Sequence, residues 1–180
     1  MNKKVILDIA KKAIEAKFKN EKIDKEALIK KYPELKEKGA VFVTLKEKGN
    51  LRGCIGSIIA HRPLIDDLIA NAEASAFGDP RFVSLGEDEL KDIELEVSLL
   101  TPYKEVQYQD KNDLKNKIRP NIDGVILKLG SNQATFLPQV WEELPDFELF
   151  FAHLCQKAGL ESNCLEYHPE IYTYQVEKIE

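Results

Sequence analysis

The chain has 180 residues, with 26 Lys and Arg against 31 Asp and Glu, a formal net charge of −5, and 43% hydrophobic and 32% charged residues. That length suits one domain or two small lobes sharing a core, and the apolar fraction excludes a disordered chain, which could not bury enough surface to offset its ordering entropy. No apolar run approaches the roughly 20 residues that cross a bilayer, and Asp8 and Lys11-Lys12 interrupt the start too soon for a secretory signal. A pI near 5.4 argues against nucleic acid as the main ligand, since neutralising phosphates takes a surplus of Lys and Arg. Three widely spaced cysteines, an odd number, fit a reducing cytosol better than a disulfide framework, so a cytoplasmic location is expected.

Val5, Ile6, Ile9, Ala10, Ala13 and Ile14 recur at helical spacing and predict an amphipathic first helix ending at Asn20. Its lysines (Lys3, Lys4, Lys11, Lys12, Lys17 and Lys19) read as a solvated face diluted by Asp8, Glu15 and Glu21. Asp24 can cap a second short helix that stops before Pro33, completing a helical segment over residues 1–35. Ala40–Leu45 is β-branched and aromatic, Lys46–Asn50 forms a turn, and Leu51–Ile59 resumes as a strand, predicting an antiparallel hairpin. Pro63 suits the start of a helix whose buried stripe is Leu64, Ile65, Leu68, Ile69, Ala72 and Ala76, stopped by Gly78 and Pro80.

Ile93–Leu100 alternates clearly, with Ile93, Leu95, Val97 and Leu99 on one face and Glu94, Glu96 and Ser98 on the other. A polar stretch with a short helix near Asn112–Ile118 leads into a second hairpin, Val125–Leu129 and Gln133–Leu137, turning at Gly130-Ser131-Asn132. Asp146 can cap a helix that buries Phe147, Phe150, Phe151, Leu154 and Ala158 and stops at Gly159, and Ile171–Val176 reads as the last strand. Hairpins interspersed with helices, without regular βαβ alternation, point to an α+β fold. No repeat or Gly/Ser-rich linker marks a domain boundary.

Three segments carry chemistry. In Leu51-Arg52-Gly53-Cys54-Ile55-Gly56, two glycines in a strand suggest a bulge or a close approach of backbone or ligand. With period two, Arg52 and Cys54 share a face unless a bulge changes the register. A guanidinium beside a thiol favours the reactive thiolate; the structural alternative, which composition alone favours, makes Cys54 a small buried hydrophobe and pairs Arg52 with a carboxylate. In Ala76–Phe82, Asp79 and Arg81 on a turn stiffened by Pro80 could recognise a polar ligand or simply pair with each other. In Thr135–Trp141, Pro138 ends a strand and presents Gln139 and Trp141, which can line a pocket or belong to the core.

Metal chemistry has little support, because Cys155, Cys164 and His168 show no CxxC, HxxxH or HExxH spacing, and neither a GxGxxG nor a P-loop is present. No cofactor is expected. His61 lies seven residues beyond Cys54, roughly 23 Å along an extended strand, too far to serve as its base. Cys155 and Cys164 are expected only to pack.

LRGCIG, an Ala-rich helix ending AFGDPRF, then EVSLLTP, TFLPQVW and LCQKAGL in this order resemble the AMMECR-type domain, called AmmeMemoRadiSam system protein A in bacteria and archaea. The resemblance is strongest over about residues 41–160 and treats residues 1–180 as a single domain. It implies two interdependent lobes with mainly antiparallel sheets, flanking helices and a cleft between them, with LRGCIG as signature. It also implies association with a Memo-like protein and a radical S-adenosylmethionine enzyme. On this reading Cys54 and Arg52 are the candidate catalytic residues, and Gly53, Gly56, Asp79, Arg81 and Gln139 line a site for a small polar metabolite. The other reading is a non-catalytic assembly module working with the two system partners.

Overall fold

The computed structural model describes residues 2–180. In chain order its helices are α1 (Lys3–Lys19), α2 (Lys25–Lys31), α3 (Leu64–Phe77), α4 (Lys111–Lys117), α5 (Val140–Glu143) and α6 (Phe147–Lys157). Its strands are β1 (Ala40–Glu47), β2 (Asn50–Gly56), β3 (Ile93–Leu100), β4 (Lys104–Glu105), β5 (Gly124–Leu129), β6 (Asn132–Phe136), β7 (Glu170–Tyr174) and β8 (Val176–Ile179). They form two four-stranded sheets, ordered β2-β1-β3-β8 and β4-β7-β5-β6. The fold is α+β. The chain divides into two units, one running to Leu100 and taking up Glu177–Glu180, the other spanning Thr101–Val176.

In the first unit local chemistry sets the element ends. Asn2 caps α1 by accepting the Lys4 amide at 3.0 Å, and Asn20 closes it in the left-handed region at φ 53°. Asp24 caps α2 by accepting the Ala27 amide. The β1–β2 turn places Lys48 and Gly49 at positive φ, 51° and 79°. Val41, Val43 and Leu45 of β1 then meet Ile65, Leu68 and Ala72 of α3 and Ile9 and Ala13 of α1 in one buried cluster.

Alternation breaks inside β2. Leu45 pairs with Gly53 but Lys46 pairs with Leu51, so Arg52 is the extra residue of a bulge. Gly53 then lies flat against α3, where a Cβ would collide with the Ser75 carbonyl oxygen. Gly56 sits opposite Phe42, whose ring occupies the space a side chain would need. The close approach anticipated from these glycines is therefore made by the protein's own backbone and an aromatic ring. β2 ends at Gly56 rather than running to Ile59, because the Ser57 hydroxyl turns to donate to Asp67 at 2.7 Å.

The second unit closes around Val125, Leu127, Phe150, Phe151, Leu154 and Ile171. Trp141 is buried there, stacked on Phe150 at 3.6 Å, and its indole N–H donates to the Asp123 carbonyl at 2.9 Å. Asp146 caps α6 through the Leu149 amide. Two expectations need correction. The final strand is two: β7 pairs with β5 in the second sheet, and after Gln175 β8 joins the first. Cys155 and Cys164 do more than pack, because they form a disulfide joining α6 to the one-turn 3-10 helix Cys164–Tyr167. The two cysteines are nine positions apart in the chain, and their Cα atoms lie 5.8 Å apart, a normal span for the bond.

Replacing Gly53 by Ala should destabilise the fold by about 3 kcal/mol, the upper part of the usual overpacking range, because the obstacle is helix backbone rather than a mobile side chain. Urea unfolding of the variant against the parent protein measures it, and an unchanged midpoint would contradict the packing.

Candidate functional site

Among the described residues the outer edge of β2 has no partner strand, yet its backbone at Cys54 is bonded. Asp79, in the turn after α3, accepts the Cys54 amide at 3.0 Å, and the Arg81 Nη2 donates to the Cys54 carbonyl at 3.2 Å. The two side chains also grip each other. Arg81 donates through Nε to Asp79 Oδ1 at 3.0 Å and through Nη2 to Oδ2 at 2.8 Å, while its own amide reaches Oδ1 at 3.1 Å. Together they act as a short substitute strand, supplying one acceptor and one donor where a neighbouring strand would.

Four hydrogen bonds hold the Asp79 carboxyl well below the usual carboxylate range, with Arg81 the main cause, burial opposing, and the Cys54 and Arg81 amides adding to it. The side-chain exposures differ sharply, 2% for Asp79 and 55% for Arg81. A buried carboxylate thus fixes a guanidinium at the surface. Arg81 Nη1 has no hydrogen-bond partner among the described residues, and the cation lies 5.5 Å from the Phe82 ring centre.

Cys54 is half-buried and is the free cysteine of the chain. Its Sγ accepts from the Thr44 hydroxyl at 3.3 Å. Thr44 pairs with Cys54 on one side and with Glu96 of β3 on the other, so thiol, hydroxyl and carboxylate form a row across three strands. Burial pushes the Glu96 carboxyl up, but Lys46 and Lys178, with Nζ atoms at 2.9 and 3.0 Å, outweigh it and hold it below its ordinary value.

Arg52 has a different partner. Its guanidinium grips Glu89 with two bonds, Nε to Oε1 at 2.9 Å and Nη2 to Oε2 at 3.1 Å. Arg52 lowers the Glu89 carboxyl first, and the Gly86 amide, 2.6 Å away, lowers it further. The bulge explains the reassignment, since Arg52 leaves the register that period two would give it. Arg81, not Arg52, is the cation bonded to Cys54, and the thiol is the last of the groups that raise the Arg81 pKa, after Asp79. Gln139 belongs to the second unit, exposed at the start of α5. His61 is exposed with Nδ1 at 3.0 Å from the Ile59 carbonyl. His153 and His168 are exposed in the second unit. Among the described residues no group of three or more His, Cys, Asp and Glu could hold a metal ion, and no helix is long and apolar enough to cross a membrane.

Sequence reasoning passed over Asp67, which is fully buried on α3. Its carboxylate accepts the Val41 amide at 2.9 Å, the Ser57 hydroxyl at 2.7 Å, Arg62 Nε at 2.8 Å and Asn71 Nδ2 at 3.1 Å. Asn71 also donates to the Val41 carbonyl at 3.2 Å. The available signal was an Asp and an Asn one helical turn apart, each beside residues of the apolar stripe, where a polar side chain needs partners.

The fold and the site define an α+β protein that sets a half-buried thiol beside a carboxylate-anchored arginine at a sheet edge. Residues 7–179 match the AMMECR1 family model, and the chain belongs to that family. It is 44% identical over 141 residues to a protein of Methanothermobacter thermautotrophicus, covering 78% of this chain and 73% of that one. It is 41% identical over 169 residues to a Saccharolobus solfataricus protein, covering 89% and 73%. The crystal structure of an uncharacterized protein of Pyrococcus horikoshii superposes with a TM-score of 0.81 at 34% identity, covering 97% of this chain and 88% of that one.

The depressed folded-state values of Asp79, Glu89 and Glu96 give the pH dependence its sign. Their stabilisation is present above the unfolded carboxyl values, near pH 4, and is lost as pH falls through the lower folded values. Thermal unfolding temperature should therefore hold from neutrality down to about pH 5 and drop below about pH 4. Asp79→Asn should cost about 2 kcal/mol at neutral pH, the worth of hydrogen bonds to a charged group, and shrink the acid-induced drop. A variant with the parent's full acid drop would show that Asp79 does not carry it.

Proposed function

We propose that this protein binds a small anionic metabolite at the β2 edge, where Arg81 receives the anionic group and the Cys54 thiol stands beside it. The observation that supports the reading is the anchored guanidinium. Asp79 orients Arg81 in advance, so little side-chain entropy is lost when a carboxylate or phosphate arrives. Where the role is enzymatic, the Cys54 sulfur is the nucleophile and the Thr44 hydroxyl steadies it by donating a hydrogen bond. Arg52, Gly53 and Gly56 then serve the site by shaping β2.

Cys54 is the free thiol, so alkylation reports on it alone. Anionic iodoacetate should outpace neutral iodoacetamide relative to the same ratio for N-acetylcysteine, and Arg81→Gln should lower that ratio about five-fold, the effect of roughly 1 kcal/mol of charge attraction. A native protein whose Cys54 resists both reagents, or whose ratio ignores Arg81→Gln, would point instead to the assembly role with a Memo-like protein and a radical S-adenosylmethionine enzyme that the family resemblance implies.

A further inference from the structure

A groove of about 560 Å³ lies in the first unit between the end of α1, the connection Asn20–Lys25 and α3. Its volume falls within the roughly 300–1,000 Å³ typical of small-ligand sites. Ala16, Ile23, Ile69 and Ala70 give it an apolar lining. Most charges around it are already matched, with Lys17 Nζ 3.4 Å from Glu73 and Lys25 Nζ 2.6 Å from Asp66.

Arg62 is different. Its Nε donates to Asp67, whose side chain is 0% exposed, while Arg62 itself is 33% exposed. Its carbonyl accepts the Gly39 amide at 3.2 Å, so the backbone is held as well. The two terminal nitrogens of the guanidinium have no hydrogen-bond partner among the described residues. An end-on pair of N–H donors on a fixed guanidinium matches the spacing of carboxylate or phosphate oxygens. Lys22, also lining the groove, has no ion-pair partner among the described residues and adds a second cation. Glu21 is the competing feature, an exposed carboxylate that would favour an amine.

We propose that this groove is a second ligand site, separate from Cys54, that binds a small amphipathic anion with its carboxylate or phosphate on Arg62 and its apolar body on Ile23, Ile69 and Ala70. Asp67 is then a positioning residue: the buried network that secures α3 also aims the Arg62 fork. The site does not depend on any role for the thiol.

The test is a titration of the ¹⁵N-labelled full chain with hexanoate, hexyl phosphate and hexylamine, followed by amide shifts. Hexanoate or hexyl phosphate should give saturable shifts of the Asn20–Lys25 and Ile69–Glu73 amides, with a Kd on the order of 1 mM for ligands this small. The tighter of the two identifies the preferred headgroup. Arg62→Lys keeps a cation for Asp67 but loses the fork, and should weaken binding about ten-fold, a loss of roughly 1.4 kcal/mol. Should that variant fold poorly, Ala70→Trp fills the groove from a half-buried position and should abolish the shifts. No saturable shift by about 20 mM, equal binding of hexylamine, or an Ala70→Trp titration like the parent's would each overturn the proposal.

Discussion

The first unit is organised around one steric constraint, the contact of the Gly53 backbone with the Ser75 carbonyl of α3, which leaves no room for a Cβ. So close a contact fixes where the helix lies along the strand, and two buried carboxylates depend on that placement. Near the start of α3, Asp67 reaches the Val41 amide and the Ser57 hydroxyl. Just past its end, Asp79 reaches the Cys54 amide. Sliding α3 by one residue would move both aspartates about 1.5 Å, enough to strain every one of these bonds. Cys54 and Arg81 therefore meet because packing positions them, without any strong bond between their side chains.

Both carboxylates hold an arginine, and the second unit repeats the arrangement. Asp123 is buried and grips Arg119 through Nη2 at 2.9 Å, while Gln175 donates to it at 2.8 Å. A buried carboxylate is costly unless several donors satisfy it. Asp67, Asp79 and Asp123 each collect donors from backbone amides as well as side chains, which leaves their buried oxygens hydrogen-bonded. The arginine gains orientation in return. Arg81 and Arg119 keep most of their side-chain surface, 55% and 58%, so their charge stays at the surface while their geometry is set from within. An ordinary surface arginine samples many rotamers, and binding must order it; these arginines have been ordered by folding.

Signals carried by neighbouring residues were legible in the sequence. Asn20, Asp24, Gly78 and Asp146 mark helix ends because capping is a matter of one or two residues, and Ile93–Leu100 reads as a strand because the alternation from Ile93 to Leu99 fits a period of two. Features set by distant partners were not. β4, with two residues, and β8, with four, exist because other strands pair with them, and too few residues are present to show a period. The disulfide was missed by arguing from an odd cysteine count, which leaves one thiol over but does not prevent the other two from pairing. Asp67 and Asn71 sit on the buried side of α3, where only the tertiary fold supplies their partners.

The hexapeptide Leu51–Gly56 shows how far packing alone accounts for an unusual motif. Gly53 meets helix backbone, Gly56 meets the Phe42 ring, and the bulge turns Arg52 toward Glu89. Each of these residue types follows from a steric or electrostatic requirement inside the unit, as the structural alternative for Arg52 anticipated. Cys54 does not follow in the same way. Its backbone is used by Asp79 and Arg81, but its side chain is half-buried and touches the Thr44 hydroxyl, a place that a serine or an alanine would also fit. Where the fold asks only for a small side chain, a sulfur beside the anchored guanidinium of Arg81 is chemistry that packing leaves unexplained.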